Sequence, residues 1–385
     1  MPEYRRYELG SVCARLSSGK GIPASQVFNE GAFPVYGGNG LRGYTDHSNF
    51  RGDCAIIGRQ GAFCGNVRYF NGEAYMTEHA VVVCANECHN TRYLAYLLSQ
   101  MNLGRLSGQS AQPGLSVKTL AKQVIELPPL DVQNKVVAVL SSLDSKIALN
   151  EKINDNLQKQ LYEIYKAWYQ DFLCVDDLTL IESPYGKIPQ GWHYSMLGDL
   201  CKSVSVTHNF NTDRLIFLNT GDIEDGQFLH SEYMAVADMP GQAKKTIMPN
   251  DILYSEIRPI NRHFAYVDFQ ADNYVVSTKL MVIRANSFDS RRLYHFLTLQ
   301  DTLEELQMQA ESRSGTFPQI RFENISKLPI LIADSNTETA FITLLHAAYN
   351  QIEHNNSENK KLSELRNSLL PQLMSGKIDV SRIRL

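Results

Sequence analysis

The stretch of sequence that decides the fold runs from Val136 to Trp168 and reads VVAVLSSLDSKIALNEKINDNLQKQLYEIYKAW. One set of positions in it keeps a strict four-three spacing: Val136, Leu140, Leu143, Ile147, Asn150, Asn154, Leu157, Leu161, Ile164 and Trp168. That spacing is the heptad period of a coiled coil. Pro128 and Pro129 end any element before it, and Asp131 is a suitable N-cap. The pattern predicts a long helix whose apolar seam contains two asparagines.

The same pattern returns 205 residues further along the chain. The equivalent positions are Phe341, Leu345, Ala348, Ile352, Asn355, Asn359, Leu362, Arg366, Leu369 and Leu373. Both asparagines keep their register, and only Arg366 breaks the apolar rule. The segments before the helices also resemble each other, since YELGSVC at 7–13 matches SMLGDLC at 195–201. The chain is therefore an internal repeat.

The repeat predicts an α+β protein in which two globular α/β domains alternate with two long helices. We place the first globular domain at 1–130 and the first helical region at 131–182. The second globular domain follows at 183–333 and the second helical region at 334–385. The join, SPYGKIPQGW at 183–192, is rich in proline and glycine and has the character of a linker.

The two helices are each other's nearest partners, and an antiparallel coiled coil with a pseudo-two-fold axis fits the repeat. In that arrangement Asn150 lies opposite Asn359, and Asn154 lies opposite Asn355. A buried asparagine in a seam costs stability but fixes register and orientation. We expect these four residues to form a central polar layer.

Composition excludes several classes of protein. The chain has 385 residues, a net charge of −4 and 43% hydrophobic residues, so it is neither disordered nor a strongly basic nucleic-acid coat. Seven scattered cysteines indicate reduced thiols rather than a disulfide framework. The start, MPEYRRYELG, predicts no secretory signal, and no apolar run is long enough for a membrane span. We expect a cytoplasmic protein without membrane contact.

A paired helix with a globular domain at each end is a spacer between two unlike heads. The seam from Val136 to Trp168 is about 48 Å long at ~1.5 Å per residue, or roughly 14 base pairs of duplex DNA. Two reading heads on one face of DNA favour spacings near one helical turn. Geometry alone leaves DNA recognition and a scaffold without DNA contact both open.

Local motifs extend the argument. They include PVYGGNG at 34–40 followed by Gly43-Tyr44, IIGRQGAFCGNV at 56–67, QPGLS at 112–116, SGTFPQI at 314–320, and LDSKI at 143–147 with its two asparagines. In this order and in two copies, they make the whole chain resemble the specificity subunit of type I restriction–modification systems. The second half departs from the pattern, because it has NTGDI at 219–223 where the first has its Gly-Gly-Asn-Gly turn.

The resemblance implies two target-recognition domains that read a bipartite, asymmetric DNA target, with the helical rod setting the spacer. It implies a non-catalytic subunit that sits between two modification subunits, which methylate adenine using S-adenosylmethionine, and is joined by ATP-dependent restriction subunits for cleavage. We expect no cofactor in this chain. The sequence has no Asn-Pro-Pro-Tyr/Phe motif and no ATP-binding P-loop, which also weighs against the recognition part of a nuclease–methylase fusion.

Candidate DNA-binding residues are polar side chains in glycine-rich or loop segments, because base edges are read by bidentate Arg, Asn and Gln. In the first domain they are Asn39, Arg42, Tyr44, Arg59, Gln60, Arg105, Gln109 and Ser110. In the second domain they are Arg258, Asn261, Arg262, His263, Arg313, Ser314 and Thr316 for bases, with Lys244 and Lys245 for phosphate. The alternatives are a ligand-free glycine hairpin, a solvated lysine turn and a surface histidine.

Aromatic residues crowd the end of the first helix: Tyr162, Tyr165, Trp168, Tyr169 and Phe172. They predict either a docking surface for a modification subunit or packing onto the chain's own recognition domain. Two other groups carry no chemistry. Cys84, Cys88 and His89 lack a second cysteine pair for zinc, so we predict no metal site. Asp46, His47 and Ser48 are adjacent residues, which rarely form a catalytic triad.

Overall fold

The computed structural model describes residues 3–107, 114–313 and 318–380, with the side chain of Arg313 excepted. Within it the chain forms two compact units. Unit 1 comprises Met1–Glu151 and Asn355–Leu385, and unit 2 comprises Lys152–His354. Each unit therefore contains one globular domain with half of each long helix. Among the described residues, no helix is both long and apolar enough to cross a membrane.

The globular part of unit 1 is built on a six-stranded sheet. The strands of this globular part are β1 Arg5–Glu8, β2 Cys13–Ser18, β3 Phe33–Gly37, β4 Gly40–Thr45, β5 Phe50–Gly58, β6 Val67–Met76, β7 Ala80–Ala85 and β8 Val124–Leu127. Its helices are α1 Thr91–Ser99, α2 Val117–Ala121 and the start of α3 Leu130–Tyr169. The sheet order is β2-β7-β5-β6-β3-β4, and β1 pairs with β8 outside it. Among the described strands of this sheet, only β3 and β6 run parallel. The core of the sheet is formed by β5 and β7, because each contains a nearly continuous run of buried Val, Ile or Ala residues.

Unit 2 contains the second copy of the globular domain, with its strands divided among more sheets. Its strands are β9 Leu180–Ser183, β10 Gly186–Pro189, β11 His193–Met196, β12 Cys201–Val204, β13 Arg214–Leu218, β14 Ile223–Glu224, β15 Gln227–Phe228, β16 Met234–Ala235, β17 Ala243–Lys245, β18 Ile252–Ser255, β19 Phe264–Tyr266, β20 Tyr274–Ser277, β21 Leu280–Ala285 and β22 Pro329–Ile332. Its helices are α4 Leu197–Leu200, α5 Ser290–Thr298, α6 Gln300–Arg313, α7 Phe322–Ser326 and the start of α8 Ser335–Met374. Two four-stranded sheets have the orders β12-β21-β18-β19 and β16-β13-β20-β17. Here β13 and β20 are the parallel pair.

Matching contacts confirm the internal repeat. The Cys13 thiol donates to the carbonyl oxygen of Leu9 at 3.0 Å, and the Cys201 thiol donates to that of Leu197 at 3.1 Å. Strand β1 pairs antiparallel with β8 in unit 1, as β11 does with β22 in unit 2. The prediction of an α+β fold with two sheet-rich domains and two long helices is confirmed.

Within each unit the two long helices pack antiparallel. In unit 1, Asp144 meets Arg366 and Asn150 meets Asn359, so partner numbers fall as residue numbers rise. In unit 2, Leu161 packs in the same core as Leu345, and the Tyr169 hydroxyl donates to Glu338 at 2.7 Å. This is the direction expected of the paired helices.

Asp144 explains the one residue that breaks the apolar seam. Arg366 Nη1 donates to Asp144 Oδ1 at 3.0 Å, and Arg92 Nη2 of α1 donates to Asp144 Oδ2 at 3.2 Å. The hydroxyl of Tyr96 donates to the same carboxylate. Arg366 is therefore one arm of an ionic network that ties both long helices to the globular domain of unit 1.

The polar layer at Asn150 is present. This side chain is fully buried, and its Nδ2 donates to Asn359 Oδ1 at 2.8 Å and to Glu358 Oε2 at 2.7 Å. Lys146 Nζ donates to Asn150 Oδ1 at 3.1 Å. Every hydrogen-bonding group of this buried amide then has a partner, as burial in an apolar seam requires. Asn154 and Asn355 are also buried, and their pairing stays a prediction.

We expect Asn150→Ala to lower the free energy of unfolding by about 1–3 kcal/mol, because it empties a fully buried position and removes two hydrogen bonds to the partly buried Glu358 and Asn359 of the facing helix. Ser145→Ala, at an exposed position of the same helix, is the matched control. Urea unfolding of the full chain measures both variants. Equal stabilities of the two variants would show that the polar layer contributes nothing.

Candidate nucleic-acid interface

The tip of the β3–β4 hairpin packs against the loop that follows β5 in unit 1. The hairpin turns through Gly38 and Asn39, and Gly40 has a φ of +100°, which favours glycine. A Cβ atom on Gly58 would lie 2.4 Å from the Gly38 carbonyl oxygen. Only glycine permits this approach, and it brings Asn39 to the same edge as the loop carrying Gln60.

A third segment joins these two. The turn Leu103–Leu106 carries Arg105, and a Cβ atom on Gly65 would lie 2.2 Å from the backbone nitrogen of Gly104. The end of β5 is therefore in backbone contact with the hairpin tip at Gly58. The loop 59–65 that follows is in backbone contact with the 103–106 turn at Gly65. Three segments predicted separately from the sequence are brought together.

Arg68 belongs to the same surface and was missed by the sequence analysis. It is exposed on β6, and its guanidinium lies over Gly40, where a Cβ atom would come within 3.1 Å of Arg68 Cζ. The candidate residues were sought in loops, whereas Arg68 is the second residue of a strand.

Four arginines of this edge make no ion pair within the described parts of the chain: Arg42, Arg59, Arg68 and Arg105, here called the arginine surface. Of the six other described arginines in unit 1, five pair with a carboxylate, namely Arg5, Arg6, Arg51, Arg92 and Arg366, and Arg15 makes no ion pair. Unpaired guanidinium groups on one edge form a local positive region that the net charge conceals.

The individual side chains of this surface differ in freedom. Asn39, Arg42, Gln60 and Arg105 are exposed. Arg59 is half-buried, with Nη1 only 3.4 Å from Ser18 Oγ and 3.5 Å from the Glu78 carbonyl oxygen. Tyr44 is half-buried, and its backbone is paired with Phe28.

The cluster predicted in unit 2 is divided by the structure. Arg258 and Asn261 are exposed, and Arg258 makes no ion pair among the described residues. Arg262 instead binds Asp225 Oδ1 through Nε at 3.0 Å and Nη2 at 2.7 Å. His263 Nδ1 lies 2.8 Å from the carbonyl oxygen of Ile223. Both side chains hold the loop in place here, and the base-reading role given to Arg262 and His263 stays a prediction.

Lys245 also makes its hydrogen bonds within the fold. Its Nζ donates to the carbonyl oxygens of Thr278 at 3.1 Å and Leu280 at 2.8 Å, and burial lowers the pKa of this ammonium. The group is therefore engaged inside the fold, and the phosphate contact predicted for it stays a prediction. Lys244, its neighbour, is exposed. Gln109, Ser110, Ser314 and Thr316 lie outside the described residues, as does the side chain of Arg313.

The aromatic end of α3 fills the core of unit 2. Tyr165 and Tyr169 are 7% and 4% exposed, and Arg292 Cζ lies 4.5 Å from the centre of the Tyr169 ring. The rings of these two residues pack on the chain's own domain, which is the second of the two predicted alternatives. Tyr162, Trp168 and Phe172 are half-buried against the same core.

A cleft of about 320 Å³ opens in unit 2 beside that core, lined by residues that include Lys159, Tyr162, Arg262 and His295. His295 is 5% exposed, its Nδ1 lies 3.1 Å from the Tyr349 hydroxyl, and its Nε2 is buried without a hydrogen-bond partner. Burial, and then the charge of Arg292, lower the pKa of His295 to about 3. This histidine is neutral at physiological pH. No group of three or more His, Cys, Asp or Glu in the described residues is arranged to hold a metal ion.

Comparison with known proteins identifies the family. Residues 1–159 and 189–364 both match the type I restriction modification DNA specificity domain, and the chain belongs to this family. It is 43% identical over 181 residues to the HindI specificity subunit of Haemophilus influenzae, covering 46% of this chain and 39% of that relative. It is 36% identical over 147 residues to the EcoprrI specificity subunit of Escherichia coli, covering 37% and 36%. The matches thus span less than two fifths of each of these two relatives.

A solved structure supports the fold. The S subunit of a type I restriction–modification system from M. genitalium matches with a TM-score of 0.61 at 14% identity, covering 97% of this chain and 96% of that one. At this identity the match concerns the fold alone.

His295 predicts a pH dependence of stability. Its folded pKa of about 3 lies below the ordinary value of 6.5, so the unfolded chain binds more protons as pH falls. Its contribution is complete above pH 6.5 and is lost progressively towards pH 3. We expect wild type to lose about 2 kcal/mol more than His295→Gln between pH 7 and pH 5. Unfolding at the two pH values measures this difference.

The control is His193→Gln, because His193 is exposed. It should retain the wild-type slope of stability against pH. A His295→Gln protein with that same slope would contradict the assignment of the low pKa.

Proposed function

We propose that this chain is the DNA-recognition subunit of a type I restriction–modification complex, and that each unit reads one half of a bipartite, asymmetric target. The observation that carries the proposal is the arginine surface. Family membership supplies the class of ligand, and unpaired guanidinium groups beside a glycine-rich edge supply the chemistry.

The chemistry of the edge suits duplex DNA. Guanidinium groups bind phosphate oxygens and the acceptor edge of guanine, and exposed amides such as those of Asn39 and Gln60 suit adenine. The backbone at Gly38 brings no side chain between the edge and a phosphate. Unit 2 offers a different set, Arg258, Asn261 and Lys244. Different sets of side chains on the two units favour an asymmetric target.

In this proposal the chain is not a catalyst. Methylation of adenine belongs to modification subunits carrying S-adenosylmethionine, and cleavage belongs to ATP-dependent restriction subunits. A target adenine must leave the stack to be methylated, so a partner provides that pocket. The long helices dock two modification subunits and set the gap between half-sites. The matched alternative is a coiled-coil scaffold that never contacts DNA.

Arg68→Gln tests the electrostatic part of the proposal. Removing one phosphate contact should reduce the slope of log affinity against log salt concentration by about 1. Affinity for duplex DNA, measured with the full chain across a salt series starting at low ionic strength, gives the slope. Arg51→Gln is the control, because Arg51 pairs with Glu73 on the neighbouring strand. Identical slopes for wild type and Arg68→Gln would remove Arg68 from the interface.

Reconstitution tests the function itself. Mixed with a modification subunit, the chain should direct adenine methylation to one bipartite sequence, mapped over a whole genome. Because the chain is net acidic, we expect the isolated chain to bind DNA weakly and the complex to bind more tightly. If no site is methylated and no salt-sensitive duplex binding occurs, the scaffold alternative stands.

A further inference from the structure

The loop that follows the central strand has the same construction in both units. Seven residues, 59–65, connect Gly58 to Asn66 in unit 1, and seven residues, 256–262, connect Ser255 to His263 in unit 2. The N–H of Gly58 donates to the Asn66 carbonyl oxygen, and that of Ser255 donates to the His263 carbonyl oxygen, each at 2.9 Å. The two loops therefore align without a gap.

Backbone conformation agrees with this alignment. Gly61 and Gly65 have φ of +79° and +88°, and the aligned Arg258 and Arg262 have φ of +44° and +58°. Positive φ is uncommon for arginine, so its occurrence at both glycine positions is a specific match.

Contacts to two other segments fix the first residue of each loop. The N–H of Arg59 donates to the His79 carbonyl oxygen at 2.9 Å, as that of Glu256 does to Lys279 at 3.1 Å. The Arg59 carbonyl oxygen accepts from the Leu115 N–H at 2.8 Å, and that of Glu256 from Ile320 at 2.9 Å. Leu115 and Ile320 are 205 residues apart, the offset of the long helices. Arg59 and Glu256 thus occupy one position of the repeated fold.

The two side chains at this position have opposite charge and loose contacts. Within the part of the chain that the structure describes, the Arg59 guanidinium is held only by hydrogen bonds of 3.4 and 3.5 Å to neutral oxygens. The carboxylate of Glu256 lies 4.0 Å from Lys279 Nζ, the outer limit of an ion pair, and both residues of that pair are partly exposed. Neither side chain is committed to the fold as Arg262 or Lys245 is, so either can turn to a ligand.

We propose that Arg59 and Glu256 are equivalent base-specificity residues, one in each unit, and that they select different bases. The Arg59 guanidinium donates to N7 and O6 of a guanine in the first half-site. The Glu256 carboxylate accepts from the N4 amino group of a cytosine in the second. These are the pairings that each side chain favours on a major-groove edge. The inference rests on the proposed function and adds the residue that makes the two half-sites differ.

The experiment maps the methylated target of the reconstituted complex for wild type, Arg59→Gln and Glu256→Gln. Each variant should change the preferred base at one position of one half-site, with discrimination falling by about 5- to 150-fold and the other half-site unchanged. Arg51→Gln and Glu182→Gln are the controls, because they remove the same charges from exposed pairs with Glu73 and Lys187. Both controls should keep the wild-type target.

A second measurement uses the wild-type protein, so it remains informative if a variant fails to fold. Replacing each guanine of the first half-site in turn with 7-deazaguanine removes N7, and one replacement should weaken binding by the wild-type complex. In the second half-site, N4-methylcytosine replaces the groove-facing amino hydrogen while the other still pairs with guanine, and it should act likewise at one cytosine. Targets unchanged in both variants, or analogues without effect at every position, overturn the inference while site-specific methylation persists. Loss of all site-specific methylation by wild type overturns the proposed function instead.

Discussion

Each long helix begins with a buried polar side chain that ties it to its globular domain, and the repeated architecture depends on this attachment. Gln133 is fully buried, accepts from the Asn90 N–H at 2.9 Å and donates to the Pro128 carbonyl oxygen at 2.8 Å. The equivalent residue, Glu338, accepts from Arg292 Nε at 3.0 Å and from the Ala333 N–H at 3.1 Å. A buried polar group fixes orientation because few geometries satisfy it. Each helix therefore leaves its domain in one defined direction.

The two attachments use different chemistry at one position. A neutral amide is sufficient in unit 1, whereas unit 2 buries an ion pair between Glu338 and the fully buried Arg292. A buried pair is expensive to desolvate, and it persists where further hydrogen bonds satisfy it. The Tyr169 hydroxyl supplies one such bond to Glu338. The hydrogen bond from Tyr169 to the Glu338–Arg292 pair anchors the end of α3 in the core of unit 2.

The contacts at the end of α3 also explain which features of the long helices the sequence could predict. The heptad period correctly gave long helices, their antiparallel packing within each unit and the Asn150 layer, because a seam buried against one partner leaves a regular pattern. Near Tyr165 and Tyr169 the helix packs against a globular domain as well, and the most buried positions shift by one residue from Ile164 and Trp168. A periodic pattern cannot report a second partner whose contacts come from distant sequence.

The segments that form the candidate interface could be predicted from the sequence, whereas the residues in them that are free to bind were harder to predict. Glycine patterns located the hairpin and the loop after β5, because close backbone approach leaves a sequence signal. Whether an arginine is free depends on a carboxylate far along the chain. Asp225 engages Arg262 from 37 residues away, whereas no carboxylate in the described residues engages Arg68. Sequence gave no means of telling these two arginines apart.

The aligned loops show how one fold can present unlike surfaces. At both left-handed positions unit 1 has glycine and unit 2 has arginine, although a non-glycine residue there costs roughly 1–2 kcal/mol. Unit 2 offsets part of that cost by fastening Arg262 to Asp225 and placing its guanidinium 5.3 Å from the centre of the Phe264 ring. Loop length and backbone hydrogen bonds stay fixed while side chains change. Recognition can therefore diverge between the units without disturbing the strands and helices that support it.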